Sequence, residues 1–406
     1  MRNLRKSFVT NNGTLMVTPY IPWVVRGTAL VMALFVIPLD IITRDALSEY
    51  EADLINDLQK HRSYQLDYFF KVIIFMGSHN VVIFALPMLY NIIESTIIMK
   101  VTIVCTHTLY LYTLFAVIFT EPRPYWVRSE IKGINCENGF GSPAEEVLFS
   151  MVFLLYCIIE LIEGKIRHSY LVLLYVVASL WILLLCFSEL LLGENFIHQI
   201  FLTLCVGYVC FTMILLMDIY ISQLASISSF YNDKNRKAKI YWFVASMAMV
   251  FIVLCLHMNI DKNTNIPIKW IKNAYKDCNF DKDISGYYSF YQSSWVFYNL
   301  GAVNGAQFTS KHLPFDWWQT GWVKKIIRMA LDGGIGYGIY YGFNSIPTYD
   351  AHTKFIFHYC INVFVCGLVC YGGLPYVFSK LRLTKTEDNQ IAGSFASGVS
   401  MRMIND

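Results

Sequence analysis

The sequence is poor in charge. Charged residues make up only 15% of the 406-residue chain, whereas hydrophobic residues make up 56% and aromatic residues 16%. Soluble domains carry about 25% charged residues, and a soluble fold of this size cannot bury so much apolar surface in one core. We therefore expect a protein whose apolar surface is solvated by a lipid bilayer.

The chain also lacks a block of basic residues and any pair of cysteines spaced for zinc. The net charge is +3, and no basic cluster indicates nucleic-acid binding. Most of the eleven cysteines lie inside apolar runs, where cysteine is commonly a small buried hydrophobe. Cys136 and Cys278 fall instead in polar loops, so a disulfide between them is an open alternative. We predict no metal, no cofactor and no nucleic-acid partner.

No acidic residue precedes Asp40, and the first residues include Arg2, Arg5 and Lys6. An apolar run that starts near Trp23 is long enough to span a bilayer. We interpret this run as a first membrane helix and not as a cleaved signal peptide. The basic start fits a mitochondrial address, but cytoplasmic flanking charge is the simpler explanation.

Ten apolar runs approach the length of about 20 residues that a membrane helix needs. The eighth carries Gln292 and Asn299, so that helix should face protein or water and not lipid. The ninth carries Gly334, Gly338 and Gly342, a spacing that predicts close approach of a neighbouring helix. The ten runs lie at roughly 23–42, 67–93, 97–119, 146–163, 168–190, 196–221, 240–260, 287–308, 325–347 and 355–379.

The loop cations predict the orientation of these helices, because basic loops remain on the cytoplasmic side. The opposite face then holds the acid-rich segment 45–57 and the long loops 120–145 and 261–286. The tail after Lys385 has few apolar residues and is predicted to be disordered. The basic segments assigned to the cytoplasm or its equivalent are the N-terminus, 165–167, 234–239, 324–328 and 380–385.

Three short polar segments fall at helix ends on the non-cytoplasmic face. They are 121–126, which reads Glu-Pro-Arg-Pro-Tyr-Trp, then 136–146 and 188–199. Their order, placement and spacing resemble the type 2 phosphatidic acid phosphatase superfamily, which includes lipid phosphate phosphatases and glucose-6-phosphatase. That family carries K-x6-R-P, then P-S-G-H, then S-R-x5-H. The resemblance covers about residues 20–221.

The resemblance implies an all-α integral membrane fold with a six-helix phosphatase-like core at residues 23–221. A cytoplasmic segment at 1–22 would precede the core. About four further transmembrane helices would form a C-terminal extension at 222–385, followed by the tail at 386–406.

The resemblance also implies which residues would perform catalysis, and most of them are replaced. In the family, one histidine attacks phosphorus, a second protonates the leaving group, and one lysine and two arginines hold the phosphate. An amide nitrogen has no usable lone pair, so the residue at the nucleophile position cannot form a phosphoenzyme. The lysine position falls on Ala116, the first arginine on Arg123, the acid histidine on Glu146, the second arginine on Glu189 and the nucleophile on Asn195.

These replacements predict a pocket that no longer binds phosphate. A cation–phosphate contact at about 4 Å contributes roughly 4 kcal/mol at an effective dielectric near 20, and reversing one charge gives a comparable repulsion. We predict that Arg123 pairs with Glu146, with Glu189 or with both. The predicted binding residues of the altered pocket are Arg123, Ser142, Glu145, Glu146, Glu189 and Asn195.

Three functions remain open. The first is a catalytically inactive member with a structural, lipid-binding or complex-subunit role, whose partners are membrane lipids or other membrane protein subunits. The second is a lipid phosphate or sugar phosphate phosphohydrolase in which Glu146 is the general acid and His198 the replacement nucleophile. The third is a cation-binding or transport protein that uses the carboxylates, with Arg26, Lys71 and His79 along its path.

The resemblance also bears on the membrane. It favours the endoplasmic reticulum or the plasma membrane. The mitochondrial inner membrane is the alternative for a subunit of a larger complex.

Overall fold

A computed structural model describes residues 5–9, 15–19, 23–137, 139–162, 167–229, 236–263, 266–278, 288–314 and 316–385. This part of the chain is almost entirely helical, so the predicted all-α fold is confirmed. The exception is an antiparallel hairpin of β1 (Arg5–Val9) and β2 (Leu15–Pro19). The predicted disordered tail at 386–406 lies outside the described residues.

The first half of the chain forms a bundle of long helices around α4. In α4, 67% of the residues in the most apolar stretch are buried inside the protein, whereas in α1 only 11% are buried. Helix α4 is therefore central and α1 is peripheral. The first five helices are α1 (Trp23–Gln59), α2 (Tyr64–Gly77), α3 (His79–Tyr90), α4 (Ser95–Phe119) and the short α5 (Pro124–Val127). The next four are α6 (Glu145–Cys157), α7 (His168–Leu191), α8 (Ile197–Leu216) and α9 (Asp218–Ser229).

Packing of these helices follows from their apolar faces. Helix α6 lies against α4, α7 and α8, while α1 packs on α8 and α2 packs on α7. The hydroxyl of Ser63 caps the start of α2 by accepting a hydrogen bond from the Leu66 amide. Ser78 has an extended backbone, and α3 leaves it at 46° to α2. This bend brings His79, the first residue of α3, to the end of the bundle that holds the three polar segments.

The second half of the chain forms an extension that covers one side of the bundle. Helix α12 packs on α4 and α14, helix α13 packs on α3, and α11 lies on α5. As predicted for the eighth apolar run, Gln292 and Asn299 are buried in protein. The elements are α10 (Arg236–Asn263), α11 (Ile268–Asp277), a 3-10 turn (Tyr288–Ser294), α12 (Trp295–His312), α13 (Trp322–Asn344) and α14 (His352–Lys380).

Membrane spans can be counted from helix length and composition in the described residues. Five helices are long and apolar enough to cross a bilayer, and six if the bent pair of α2 and α3 is one span. The fold is therefore that of a multi-pass membrane protein. Four of the ten predicted runs form helices that are too short or too polar to be counted as spans. Those runs correspond to α6, α10, α12 and α13.

The prediction of close helix packing at the glycine row of α13 is wrong. A Cβ atom on Gly334, Gly338 or Gly342 would have no other atom within 4 Å, because these residues are on the outward face of α13. The close approach occurs instead between α12 and α14. A Cβ on Gly301 would lie 2.2 Å from the Phe364 carbonyl oxygen.

A disulfide joins the two halves of the chain. Cys136 in the second polar segment is bonded to Cys278, which follows α11, with 5.6 Å between their Cα atoms. The pairing that the sequence left open is therefore formed. It ties the loop before α6 to the extension.

Candidate functional site

The three polar segments meet at one end of the bundle, as expected from their positions at helix ends. Helix α4 ends at Phe119, and the left-handed Thr120 (φ 47°) turns the chain into the first segment. The amide of Gly141 in the second segment donates a hydrogen bond to the carbonyl of Glu121. The Gln199 side chain in the third segment donates to the carbonyl of Pro122 at 3.0 Å. Backbone contacts thus hold the segments in register.

Arg123 is the centre of this arrangement and is only 3% exposed. Its Nη1 donates to Glu194 Oε2 at 3.0 Å, and its Nη2 donates to Glu137 Oε2 at 2.7 Å. Its Nε donates to the carbonyl of Gly139 at 2.7 Å. All three nitrogens of the guanidinium are therefore bound to oxygen atoms of the protein.

These contacts correct the predicted pairing of Arg123. Glu194 and Glu137 bind the guanidinium, whereas neither Glu146 nor Glu189 is among the ion-pair partners of Arg123 in the described residues. The reason for the error is geometric, since Glu137 and Glu194 come from loops while Glu146 and Glu189 are fixed on helix ends.

Glu194 is placed by a tight turn after α7. Gly193 has a positive φ of 75°, and a Cβ there would lie 2.9 Å from the carbonyl oxygen of Lys132. Glu194 Oε1 accepts hydrogen bonds from the amides of Asn135 and Cys136 at 3.0 and 3.1 Å. Burial raises the pKa of the Glu194 carboxyl to about 7, although Arg123 and the two amides act in the opposite direction.

The position of the family nucleophile is enclosed. Asn195 is 1% exposed, and its side-chain nitrogen donates a hydrogen bond to the Gly141 carbonyl. Ala116, at the family's lysine position, is buried in the last turn of α4. Ser142 is fully buried, and its hydroxyl has no hydrogen-bond partner among the described residues. Neither Ala116 nor Ser142 brings a charge to the site.

His198, the predicted replacement nucleophile, faces away from the pocket. Its Nδ1 lies 2.8 Å from Glu51 Oε2, and its Nε2 lies 3.8 Å from Glu121 Oε2. Glu121 in turn pairs with Arg44 Nη1 at 3.2 Å. Both ring nitrogens therefore face carboxylates of a separate network between α1 and α8.

A polar cavity of about 330 Å³ lies beside Arg123. Of the residues predicted for the altered phosphatase pocket, Arg123, Glu145 and Glu146 line the cavity, and so do Lys71 and His79 of the cation alternative. Glu189, Asn195 and His198 are not among its described lining residues. The other lining residues that carry charge or a polar side chain include Ser78, Asn80, Tyr112, Asn135, Glu137, Tyr291 and Gln292.

His79 and Gln292 line the pocket, although the sequence analysis placed neither among the binding residues of the altered phosphatase site. His79 Nδ1 contacts Glu145 Oε1, and Gln292 Nε2 donates to Glu145 Oε2. The sequence offered a signal for each, since His79 was an ionisable residue in an apolar run and Gln292 was on a polar helix face. Neither signal gave the location, because α3 and the extension lie outside the three motifs.

The described residues contain no group of three or more His, Cys, Asp and Glu side chains placed to hold a metal ion. Glu137 and Glu145 of the pocket contact Arg123 and His79 instead. This arrangement gives no support to a metal-ion site.

A family model described as the PAP2 superfamily matches residues 96–223. This range contains all three polar segments and runs from α4 to α9. No curated protein and no solved structure matches the chain.

Proposed function

Because residues 96–223 match the PAP2 superfamily model, we propose that the chain is a catalytically silent, lipid-binding membrane protein of that superfamily. Its partners are membrane lipids, and the fold retains the family's arrangement of helices without the hydrolytic chemistry.

The observation that carries this proposal is the state of Arg123. The guanidinium is held by two carboxylates and two backbone carbonyls, at distances of 2.7 to 3.3 Å. A phosphate would have to displace both carboxylates and then remain beside them. Each contact between like charges at about 4 Å costs roughly 4 kcal/mol at an effective dielectric near 20, so phosphate binding is opposed.

The nucleophile position supports the same conclusion. Asn195 has an amide in place of an imidazole, and that amide already donates to the Gly141 carbonyl. The family's acid position, Glu146, and its second arginine position, Glu189, both carry carboxyl groups. Apart from Arg123, the inherited positions therefore offer neither a nucleophile nor a cation for the phosphoryl group.

The test is hydrolysis by the purified protein in nanodiscs. We expect no phosphate release from phosphatidate or from p-nitrophenyl phosphate above the level of empty nanodiscs. We also expect orthovanadate, a phosphate mimic, to leave the melting temperature unchanged. Phosphate release by the wild-type protein above the level of empty nanodiscs, inhibited by orthovanadate, would refute the proposal.

One observation favours an altered phosphohydrolase as the second candidate. His79 Nδ1 contacts Glu145, while its Nε2 has no hydrogen-bond partner among the described residues and the side chain lines the polar cavity. A carboxylate that orients a histidine is a common catalytic arrangement. Under this alternative His79→Ala abolishes turnover and His198→Ala does not, so the same assay separates the two functions.

A further inference from the structure

A second, apolar cavity of about 750 Å³ lies between the bundle and the extension. Its walls come from α3, α12, α13 and α14, and its volume is within the range of about 300–1,000 Å³ typical of ligand sites. The lining residues are mostly apolar or aromatic, and include Ile83, Met88, Trp295, Tyr298, Gly336 and Val363.

The apolar cavity adjoins the polar cavity. Phe75, Asn80 and Tyr291 line both. On α3 the apolar cavity extends from Asn80 to Met88, and a helix rises about 1.5 Å per residue, so its depth along α3 is roughly 12 Å. One elongated molecule could therefore have an apolar part beside α3 and a polar end beside Arg123.

We propose that the joined cavities bind a single-chain amphiphile whose polar end is a protonated amine. The hydrocarbon chain occupies the apolar cavity, and the amine occupies the polar cavity. This inference rests on the proposed lipid-binding function and gives it a ligand class and a place.

The charges of the polar cavity select the head group. Three carboxyl groups line it, those of Glu137, Glu145 and Glu146, against the two permanent cations Arg123 and Lys71. Arg123 is already neutralised by Glu137 and by Glu194 behind it. The remaining field favours a cation and disfavours a carboxylate or a phosphate.

Two unpartnered polar atoms also face this space. Gln292 Oε1 is a hydrogen-bond acceptor with no partner among the described residues, and Gln292 is only 5% exposed. His79 Nε2 is likewise unpartnered, in a residue that is 2% exposed. An ammonium group carries three donors and can therefore serve Gln292, His79 and a glutamate together.

Asp332 is the one carboxylate among the described residues that line the apolar cavity, and it provides a test of orientation. It lies on α13 and lines the cavity, while its Oδ2 accepts a hydrogen bond from Asn91 at 2.7 Å. An amine bound in the reverse direction would contact Asp332 and leave the polar cavity unused. The two orientations therefore depend on different carboxylates.

The experiment uses three probes with the same tail: dodecylamine, dodecanol and dodecanoic acid. The full-length protein in nanodiscs is titrated with each, and bound probe is counted by native mass spectrometry. We expect one dodecylamine per chain, bound at least tenfold more tightly than dodecanol, and no saturable binding of dodecanoic acid. Equal binding of all three probes, or preference for the acid, overturns the proposal.

The tail site is tested by filling the apolar cavity. Gly336 lines it and Gly338 does not, although both are on α13. We expect Gly336→Leu to weaken dodecylamine binding at least tenfold and the control Gly338→Leu to leave it unchanged. Ala85→Phe fills the cavity from α3 and gives a second variant if Gly336→Leu does not fold. Tight binding retained in a folded cavity-filling variant overturns the tail site.

The head site is tested by removing charge. We expect the double variant Glu145→Gln, Glu146→Gln to reduce the preference for dodecylamine over dodecanol about tenfold, while Asp332→Asn leaves it unchanged. The reverse pattern would overturn the proposed orientation. Phosphate release in the earlier assay would contradict catalytic silence without affecting amine binding, so failure of either proposal can be recognised separately.

Discussion

At the scale of single residues, Arg123 shows how the partners of a buried cation depend on loop geometry. The family resemblance implies that it binds substrate phosphate, but here Glu137 and Glu194 provide the negative charge. Both carboxylates approach within 3.0 Å of the guanidinium. The arginine therefore holds the loops of the second and third polar segments together.

Removing Arg123 should strongly destabilise the protein. Arg123→Ala leaves two carboxylates without their cation, and breaking a buried ion pair on one side costs about 3–5 kcal/mol. Thermal unfolding followed by circular dichroism in detergent measures the loss. The control is Lys60→Ala, which removes an exposed pair with Asp57 and should change stability by less than about 1 kcal/mol. Equal unfolding of the two variants would show that the buried network contributes little.

Glu194 should make stability depend on pH. Burial raises the pKa of its carboxyl from an ordinary value of 4.5 to about 7 in the folded protein. Between these values the folded state binds more protons than the unfolded state, so the free energy of unfolding falls as pH rises through this window. Glu194→Gln removes this contribution. A plot of its free energy of unfolding against pH should therefore be flatter between pH 4.5 and 7 than the plot for the wild type.

The control for this prediction is Glu130→Gln, which alters an exposed carboxyl in the same loop region. Its pH profile should follow that of the wild type. Parallel profiles for wild type and Glu194→Gln would contradict the raised pKa.

At the scale of helices, the closest packing in the extension is between α12 and α14. Gly301 and Gly305 of α12 lie against main-chain atoms of Phe364 and Leu368 in α14. A side chain at either glycine would meet main-chain atoms, which cannot rotate out of the way. The short distance between α12 and α14 therefore requires glycine at these two positions.

Gly301→Ala should separate these helices. The added Cβ would lie 2.2 Å from the Phe364 carbonyl oxygen, and overpacking of this kind typically costs about 1–3 kcal/mol. Gly338→Ala is the matched control, because nothing lies within 4 Å of its Cβ position. That change should stabilise α13 by about 0.5–1 kcal/mol, since alanine favours helix more than glycine does. The melting temperatures of the two variants should move in opposite directions.

At the scale of the whole molecule, the disulfide between Cys136 and Cys278 connects the motif loop to the extension across 142 residues of chain. Lys276 and Asn273 of α11 also donate to backbone carbonyls of residues 126–129. Disulfides form in oxidising compartments, so this connection supports placing the polar segments on the non-cytoplasmic face.

Loss of the disulfide should destabilise the folded chain and leave the core helices intact. For a loop of this length the entropic model gives about 5 kcal/mol. The double variant Cys136→Ser, Cys278→Ser avoids an unpaired thiol, and its melting temperature should match that of the reduced wild type. Cys255→Ser, at an exposed free cysteine, is the control. Two free thiols at Cys136 and Cys278 in the unreduced protein would refute the bond.

The sequence by itself determined the all-α membrane character and the meeting of the three polar segments. Both depend on local composition and on position along the chain. Apolar runs long enough to span a bilayer form helices there because backbone groups in lipid must bond within the segment. Segments at helix ends on the same side of the bilayer must then lie at the same end of the bundle. The burial of Gln292 and Asn299 followed from the same rule.

Only the tertiary structure decided which carboxylates bind Arg123, that His198 turns to Glu51 while His79 faces the cavity, and which glycines let helices approach. These features depend on differences of a few ångströms between side chains distant in sequence. Loop residues such as Glu137 and Glu194 follow no helical period, so their direction is set by turns like that at Gly193. Spacing along the chain fixes which residues share an end of the bundle, but contact at that end is fixed by packing.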